Sequence, residues 1–510
     1  MIPVYYFEAS TNYSNAFPTE HRHFLILIIM IIQTAISIFL LAGITEARDS
    51  IEAQHTIADN IRAALVEENE TKNRFSISER MEFYDVPGVS IAVIDDGEIA
   101  WAHGFGTLED ENDIPVSDTT LFQAASISKP ITATGALRLV QEGELHLDND
   151  VNDALTSWSL DWNKQNNEDI VTLRQLLNHT AGLSVHGFPG YADGTPIPEL
   201  KDILDGSGGT NTEPVEVISP PDMYEQYSGG GYTILQQMIM DVTETEFDEV
   251  MEDYVLAPIG MKHSTFSQAA PDETGREIAH AHVAGSVVPG GYHRYPEKAA
   301  AGLWTTPTDL ARWVQSIQRT ANDEDETLIS YTLLEEMMTP VHGNFGLGPQ
   351  LEGSGDNLRF RHAGANHGYH ADMVGYLHQG KGAVVMANAD AGSYLIEEVL
   401  HSIAEYYEWP DYPDLRQRTF VTLPDQLLDE YAGTYLLPEG MLIELLVEDE
   451  QLYMEFDDTG RHRLLAHEED HFFSPALNLE RIEFVREQGD IRQMKIGPAG
   501  NEYTLDRIPD

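Results

Sequence analysis

The chain has 510 residues, enough for two or three domains, and its hydrophobic content of 42% is that of an ordinary globular protein. Its 85 acidic and 29 basic residues give a net charge of −56, which argues against binding to nucleic acid or to an anionic membrane surface. Such an acidic composition is typical of proteins adapted to a salty medium, where salt screens the repulsion between like charges. The sequence contains no cysteine, which excludes disulfides, thiolate catalysis and cysteine-based zinc sites.

An apolar segment without charged residues runs from Phe24 to Thr45, after a polar stretch at residues 1–20 and the triplet His21-Arg22-His23. It is long enough to span a bilayer, which takes about 20 apolar residues. It also fits a signal peptide, because Thr45-Glu46-Ala47 offers a small-x-small cleavage site. We therefore expect residues 1–50 to hold a signal peptide or a membrane anchor. The protein would be exported to the periplasm or the exterior, or stay anchored in the cytoplasmic membrane.

The next predicted elements are a helix and a β-hairpin. Residues 51–82 show an amphipathic helical pattern with a break near Asn73. Residues 89–94 and 98–105 have the composition of strands, and Asp95-Asp96-Gly97 between them is a strong turn signal. A hairpin is thus expected shortly before the stretch of the chain that carries the clearest chemical signal.

That stretch is residues 120–140, where Ser126 and Lys129 stand three apart at the start of an apolar helical pattern. On a helix the two side chains share one face, one turn apart. A lysine whose pKa is lowered by burial can take the proton of a serine hydroxyl, and a helix N-terminus favours the negative charge that develops. Taken alone, the pair also fits a capping serine followed by a surface lysine, so the rest of the chain must decide.

Three helices and a long loop are predicted after this stretch. A helix over residues 172–179 is ended by Gly182, and His179 at its end is expected to have a packing role. Residues 186–221 are rich in Gly, Pro, Asp and Thr, as in loops that border a substrate site. Tyr227-Ser228-Gly229 then leads into predicted helices at 234–242 and 247–256. By itself, this tripeptide fits a turn as well as a catalytic motif.

The following part of the chain is predicted to combine helices with strands. Thr306 and Pro307 fit the N-cap and first position of a helix. Strands are expected at 360–364, 371–377 and 382–388, before a helix at 397–407. His362, His367 and His370 lie close together in sequence, but no acidic residue stands at ligand spacing. A metal site is therefore the weaker interpretation, and we expect neither a metal nor a cofactor.

The C-terminal part has a different pattern. Residues 409–413, rich in Trp, Tyr and Pro, are predicted to form a linker. From Leu427 onward, strand patterns recur at intervals of roughly ten residues, which predicts a small antiparallel barrel or sandwich. The six predicted strands cover residues 431–437, 441–447, 451–456, 481–486, 491–496 and 502–507.

Five motifs, together with the hairpin before them, resemble those of the serine β-lactamase and penicillin-binding-protein superfamily over about residues 55–405. They are the Ser126–Lys129 pair, the Tyr227 tripeptide and residues 172–183, 256–264 and 360–368. The branch resembled most is the class C-like group of esterases, D-aminopeptidases and D-alanyl-D-alanine carboxypeptidases. The resemblance implies an α+β fold, with an antiparallel sheet flanked by helices beside an all-helical lobe. A β-lactamase-like serine hydrolase domain would occupy residues 51–410 and a lipocalin-like barrel residues 425–510.

The resemblance also implies a role for each matched residue. Ser126 matches the nucleophile and Lys129 its lysine. Tyr227 matches the tyrosine that works with the lysine in moving protons. His362 begins the third motif, His362-Ala363-Gly364, and the oxyanion hole would use the backbone N–H groups of Ser126 and Ala365.

Two departures from the superfamily pattern bear on the substrate. Gly229 stands where Asn is usual, and His362 replaces Lys, so a side-chain amide and a permanent cation are both missing. These changes favour ester or uncharged amide substrates. We therefore predict an esterase-like serine hydrolase that acts through an acyl-enzyme on a small ester, amide or peptide. The alternatives are a β-lactamase, a D-aminopeptidase or a D-alanyl-D-alanine carboxypeptidase and, in another class, a non-catalytic ligand-binding or sensor module.

Overall fold

The computed structural model describes residues 48–109, 114–161, 170–269, 275–437, 441–456, 460–477, 479–497 and 502–508. The segment from Phe24 to Thr45, predicted as a signal peptide or anchor, lies outside these residues. Within them, no helix combines the length and the apolar character that crossing a membrane requires. The chain divides into two units, Met1–Thr56 and Ile57–Asp510. In the first unit, the described residues 48–56 are helical.

A central sheet in the second unit consists, within the described residues, of six antiparallel strands. The strands are β1 (Gly88–Asp95), β2 (Glu98–Gly106), β3 (Gln350–Glu352), β4 (Arg359–Asn366), β5 (Tyr369–Tyr376) and β6 (Gly382–Ala387). Their spatial order in the sheet is β3-β4-β5-β6-β1-β2. The predicted hairpin is confirmed as β1–β2, and its turn residues Asp96 and Gly97 both have positive φ. Strands β6 and β1 lie inside the sheet and are buried almost throughout, as continuous apolar strands should be.

Helices flank this sheet and build a second lobe. Among the described residues the four long helices are α1 (Ser128–Glu142), α2 (Gly229–Thr243), α3 (Pro307–Ala321) and α4 (Gly392–Tyr406). Helices α3 and α4 pack on the sheet, whereas α1 and α2 pack together around the short helix Lys298–Ala301. The Thr306 hydroxyl accepts from the Asp309 N–H with Pro307 at the first position of α3, which confirms the predicted cap. The fold is therefore the predicted α+β arrangement.

Shorter elements complete the second unit. The short helices are Ile77–Phe83, Leu173–Leu177, Leu200–Asp205, Phe247–Met251, Tyr331–Met337 and Asp425–Tyr431, and Glu252–Leu256 is a π-helical turn. Single 3₁₀ turns cover Ala125–Ile127, Val151–Asp153, Ala257–Ile259 and Gly355–Asn357. The short strand pairs are Ile61–Arg62 with Arg74–Phe75, Leu65–Glu67 with Arg418–Phe420, Phe122–Gln123 with Trp304–Thr305, and His282–Val283 with Ser286–Val287.

The helix predicted over residues 51–82, with a break near Asn73, is wrong between residues 59 and 76. Short strands replace it, and a helix returns only at Ile77–Phe83. The cause is tertiary, because Leu65–Glu67 pairs in parallel with Arg418–Phe420 and the Ala64 N–H donates to Glu398 Oε1 at 2.7 Å. These distant hydrogen bonds satisfy backbone groups in an extended conformation, and helical periodicity cannot reveal them.

Three other predicted bounds also need correction. Helix α2 begins at Gly229 rather than at 234, because the Ser228 hydroxyl accepts from the Gly231 N–H and caps it. Helix α4 begins at Gly392, five residues before the predicted 397. The predicted loop 186–221 contains the helix Leu200–Asp205, which ends at Gly206 in a left-handed conformation. In each case a glycine at or next to the end of the helix weakened the helical signal in the sequence.

The C-terminal part forms, within the described residues, a closed barrel of eight antiparallel strands, two more than the sequence predicted. The strands are Gly433–Leu436, Leu442–Glu448, Gln451–Phe456, Arg461–Glu468, His471–Ser474, Leu479–Glu487, Asp490–Ile496 and Tyr503–Arg507. The sequence analysis missed the strands Arg461–Glu468 and His471–Ser474. Their buried residues form short runs bordered by polar or charged residues, so the strand pattern is weak. Tyr431, predicted to begin a strand, ends a helix instead and packs with Leu428 into the apolar barrel interior.

Candidate active site

Ser126 lies in a tight turn immediately before α1. The turn Ala125–Ile127 is 3₁₀, and α1 itself begins at Ser128, two residues later than the Ser126 start that the sequence suggested. Ala125 has φ +48°, which is rare for a residue with a side chain. Strand β4 closes over this turn, since a Cβ added to Gly364 would lie 2.2 Å from the Ala124 carbonyl oxygen. Only glycine at 364 allows that approach without a shift of the backbone.

Lys129 points from the first turn of α1 towards Ser126. Its Nζ donates to Ser126 Oγ at 3.0 Å and to the Ala300 carbonyl at 2.9 Å. It also lies 4.9 Å from the centre of the Tyr227 ring. The side chain is only 2% exposed, and this burial lowers the pKa of Lys129 to about 7. The amine is therefore neutral in a large fraction of molecules near neutral pH.

Tyr227 occupies the other side of this pair. Burial raises the pKa of Tyr227 above its usual value, and a hydrogen bond with the Ser126 side chain offsets part of that rise. Its ring packs 4.2 Å from the ring of His179, whose Nδ1 accepts from the Ser228 N–H at 3.2 Å. His179 thus has a packing and orienting position behind Tyr227. Tyr227 itself is a protonated phenol at neutral pH.

The third motif lies on β4, facing the nucleophile turn. His362 is buried, and its Nδ1 hydrogen-bonds to the Ala363 carbonyl at 2.7 Å. Its Nε2 has no hydrogen-bond partner among the described residues. Burial, with a smaller contribution from the charge of Lys129, lowers the pKa of His362 to about 3. The imidazole is therefore neutral near neutral pH.

The three clustered histidines separate in the fold. His362 faces the nucleophile turn, whereas His367 stacks on His293 with ring centres 4.2 Å apart. His370 is half-buried, and desolvation of its ring lowers its pKa to about 4. In the part of the chain that the structure describes, no group of three or more His, Asp or Glu side chains is placed to hold a metal ion.

A cavity of about 520 Å³ opens onto these residues. Its wall includes Ser126, His186, Gly187, Phe188, Tyr227, Phe345, Gln350, His362, Ala363, Gly364, Ala365, His370, Ala371, Asp372, Ser393 and Ile396. The predicted loop 186–221 therefore borders the cavity through its first three residues. A Cβ added to Gly229 would lie 2.8 Å from the Phe188 ring, so this ring occupies the space of a side chain at 229.

The structure brings Ser126, Lys129, Tyr227 and the third-motif residues together around one cavity, with Lys129 buried beneath its wall. Sequence reasoning missed Phe188, Phe345 and the Ala300 carbonyl. Phe188 and Phe345 lie in irregular segments without periodicity, and Ala300 acts through its backbone. The sequence offered no signal for these three contributions.

Comparison with known proteins gives two family matches. The family described as Beta-lactamase matches residues 76–401. The family described as Domain of unknown function (DUF3471) matches residues 417–507, the region of the barrel.

Curated relatives and solved structures agree with these matches. Penicillin-binding protein 4* of Bacillus subtilis (strain 168) is 25% identical over 81% of this chain and 93% of its own length. Protein flp of Staphylococcus aureus (strain MW2) is 24% identical over 70% of each chain. The octameric penicillin-binding protein homologue from Pyrococcus abyssi superposes with a TM-score of 0.56 at 21% identity, covering 84% of this chain and 98% of that one. SurE with D-Leu gives 0.53 at 22% identity, with coverages of 85% and 97%.

Proposed function

The chain belongs to the β-lactamase family, and we propose that it is a serine hydrolase. It forms an acyl-enzyme on Ser126 and acts on neutral esters. The observation that carries the proposal is the 3.0 Å contact between Lys129 Nζ and Ser126 Oγ. Because burial lowers the pKa of Lys129 to about 7, its neutral amine is available as a base where an ordinary lysine would be charged.

The chemistry follows from these protonation states. Lys129 takes the Ser126 proton as Oγ bonds to the substrate carbonyl carbon, and the carbonyl oxygen becomes an oxyanion. The backbone N–H groups of Ser126 and Ala365, both on the cavity wall, would hold that oxyanion. When the C–O bond breaks, the departing alkoxide receives the proton of the Lys129 ammonium, relayed through the Tyr227 hydroxyl. Water then attacks the acyl-enzyme and gives a proton to Lys129, and the released Ser126 Oγ recovers that proton.

The lining of the cavity supports neutral substrates. With its pKa lowered to about 3, His362 carries no charge to hold a substrate carboxylate. Phe188 fills the space next to Gly229, so an amide side chain at 229 could enter only if that ring moved. Esters need neither contact, and their alcohols leave more readily than amines. The ester preference therefore rests on these two positions.

A fluorophosphonate probe tests the nucleophile. Intact-mass analysis should show one adduct on the native protein and none on Ser126→Ala. Ser128→Ala is the matched control, because Ser128 is a buried serine on the same stretch whose hydroxyl accepts from the Leu303 N–H. That variant should label like the native protein. Full labelling of Ser126→Ala would overturn the assignment.

Turnover of matched substrates tests the specificity. We expect kcat/KM for a short-chain aryl ester to exceed that for a cephalosporin by at least about tenfold, or about 1.4 kcal/mol in transition-state stabilisation. His362→Lys should narrow this gap. Cephalosporin turnover equal to ester turnover would favour a β-lactamase, and faster release of D-alanine from a D-alanyl peptide would favour a peptidase. Labelling without turnover of any of these substrates would favour a binding module.

A further inference from the structure

The local geometry of His362 determines which of its two ring nitrogens is a hydrogen-bond acceptor. Its Nδ1 lies 2.7 Å from the Ala363 carbonyl oxygen. A carbonyl can only accept, so Nδ1 must carry the proton. In a neutral imidazole, Nε2 is then an unprotonated nitrogen with a lone pair. The backbone of the third motif itself therefore sets the tautomer.

The described residues of the protein supply no donor to that acceptor. Nε2 is buried and is without a hydrogen-bond partner among the described residues. The rings of Tyr227 and Phe345 lie beside His362, with centres 6.2 and 6.0 Å from the imidazole centre. A buried acceptor left without a donor is unfavourable. A bound group that brings a donor to Nε2 removes this cost.

His362 lines the cavity together with Ser126, so a molecule bound for attack by Ser126 is within reach of His362. We propose that His362 Nε2 accepts a hydrogen bond from the substrate, and that the site selects esters that carry an O–H or N–H donor near the scissile carbonyl. This inference rests on the proposed function and specifies its substrate class. It also reverses the polarity of the position, since a lysine there would donate and this histidine accepts.

The expected selectivity follows from the same atoms. An ester that lacks the donor displaces water and leaves Nε2 unpaired in an apolar wall, whereas a donor-bearing ester pairs with it. Sites built to hydrogen-bond a substrate group discriminate strongly against analogues without that group. We expect a preference of about tenfold in kcat/KM, the size of a single well-placed hydrogen bond in a buried site.

Two matched substrate pairs test the proposal. The first pair is 4-nitrophenyl 3-hydroxybutyrate and its 3-methoxy analogue, with the donor on the acyl group. The second is ethylene glycol monobutyrate and its methyl ether, with the donor on the leaving group. The native enzyme should prefer the hydroxyl member of at least one pair about tenfold. That preference should vanish in His362→Leu and persist in Phe345→Leu, which reshapes the same wall without changing a polar atom.

A direct measurement of the tautomer keeps the proposal falsifiable if His362→Leu fails to fold. In native protein labelled with ¹⁵N-histidine, the ring nitrogens of His362 should show a protonated Nδ1 and a bare Nε2 from pH 6 to pH 8. A protonated Nε2, equal rates within both pairs, or a preference that survives in His362→Leu would each overturn the inference. The proposed function would still stand in those cases, provided that Ser126 labels and esters are hydrolysed. Loss of labelling and of all ester turnover would instead refute the proposed function itself.

Discussion

Replacing Lys129 with methionine isolates the cost of burying a lysine beside the nucleophile. Methionine keeps most of the side-chain volume and removes the ionisable amine. The folded-state pKa of Lys129 is lowered from 10.5 to about 7, so between these pH values the unfolded chain binds more protons than the folded one. Native stability therefore rises with pH across this window, and the burial penalty is greatest below about pH 7.

The size of the effect follows from the two pKa values. The penalty is about 4 kcal/mol at pH 7 and about 2 kcal/mol at pH 9. Lys129→Met also loses hydrogen bonds to Ser126 and to the Ala300 carbonyl, about 1 kcal/mol each. Those losses change little with pH, because neither partner titrates in this range. The stability of the variant relative to the native protein should thus fall by about 2 kcal/mol from pH 7 to pH 9.

Thermal unfolding of both proteins at pH 7 and pH 9 measures this difference. The control is Thr132→Val on the same helix, which removes a buried hydrogen bond to the Ala299 carbonyl without removing an ionisable group. Its effect on the melting temperature should be the same at both pH values. If Lys129→Met shifts the melting temperature equally at pH 7 and pH 9, the amine is not titrating near neutrality. Lys129 would then not be the neutral base that the proposed mechanism requires.

Three other predictions concern the packing and the charge of the fold. Glu398→Ala should destabilise the protein by about 3–5 kcal/mol in chemical unfolding, because it leaves the buried Arg80 guanidinium unpaired, whereas Glu397→Ala nearby should be almost neutral. Gly364→Ala should lower both the rate of fluorophosphonate labelling and kcat/KM, because its Cβ would meet the Ala124 carbonyl; labelling at the native rate would contradict the close approach. Added NaCl should raise the melting temperature, because salt screens the repulsion that arises from the net charge of −56. The Debye length of the solution falls from about 30 Å at 0.01 M to about 3 Å at 1 M salt. A melting temperature that stays constant or falls as NaCl is added would refute this expectation.

Local signals in the sequence were sufficient for much of the fold and for the core of the candidate site. The three-residue spacing of Ser126 and Lys129 brings their side chains together across the 3₁₀ turn Ala125–Ile127 and the first turn of α1, with 3.0 Å between Lys129 Nζ and Ser126 Oγ. The β1–β2 turn and the Thr306 cap are likewise decided by neighbouring residues. Such features depend on contacts within a few positions of the chain, which periodicity and turn chemistry can report.

Features that depend on distant contacts were not predictable. The Ala300 carbonyl that holds Lys129 is 171 positions away, and the Glu398 carboxylate that accepts from the Ala64 N–H is 334 positions away. The conflict between Gly229 and the Phe188 ring is also tertiary. These contacts determine the position of the Lys129 amine, the course of the chain near residue 64 and the shape of the cavity.

Each of the two departures from the superfamily pattern has a tertiary contact of its own that opposes its reversal. Asn at position 229 would collide with Phe188, and Lys at position 362 would bring a second ammonium into the field of Lys129, which already lowers the pKa of His362. Neither reversal can therefore act fully by itself. Among the described residues that line the cavity there is no lysine or arginine, and the carboxylate of Asp372 is paired with Arg361.

An anionic substrate would thus meet a neutral imidazole and an aromatic ring where the superfamily pattern has a cation and an amide. His362→Lys alone should narrow the gap between ester and cephalosporin only partly, because its ammonium would share the apolar surroundings that lower the pKa of Lys129 to about 7. The triple change Phe188→Ala, Gly229→Asn and His362→Lys should narrow it further than the sum of the single changes. Strict additivity in kcat/KM would show that the two positions act independently.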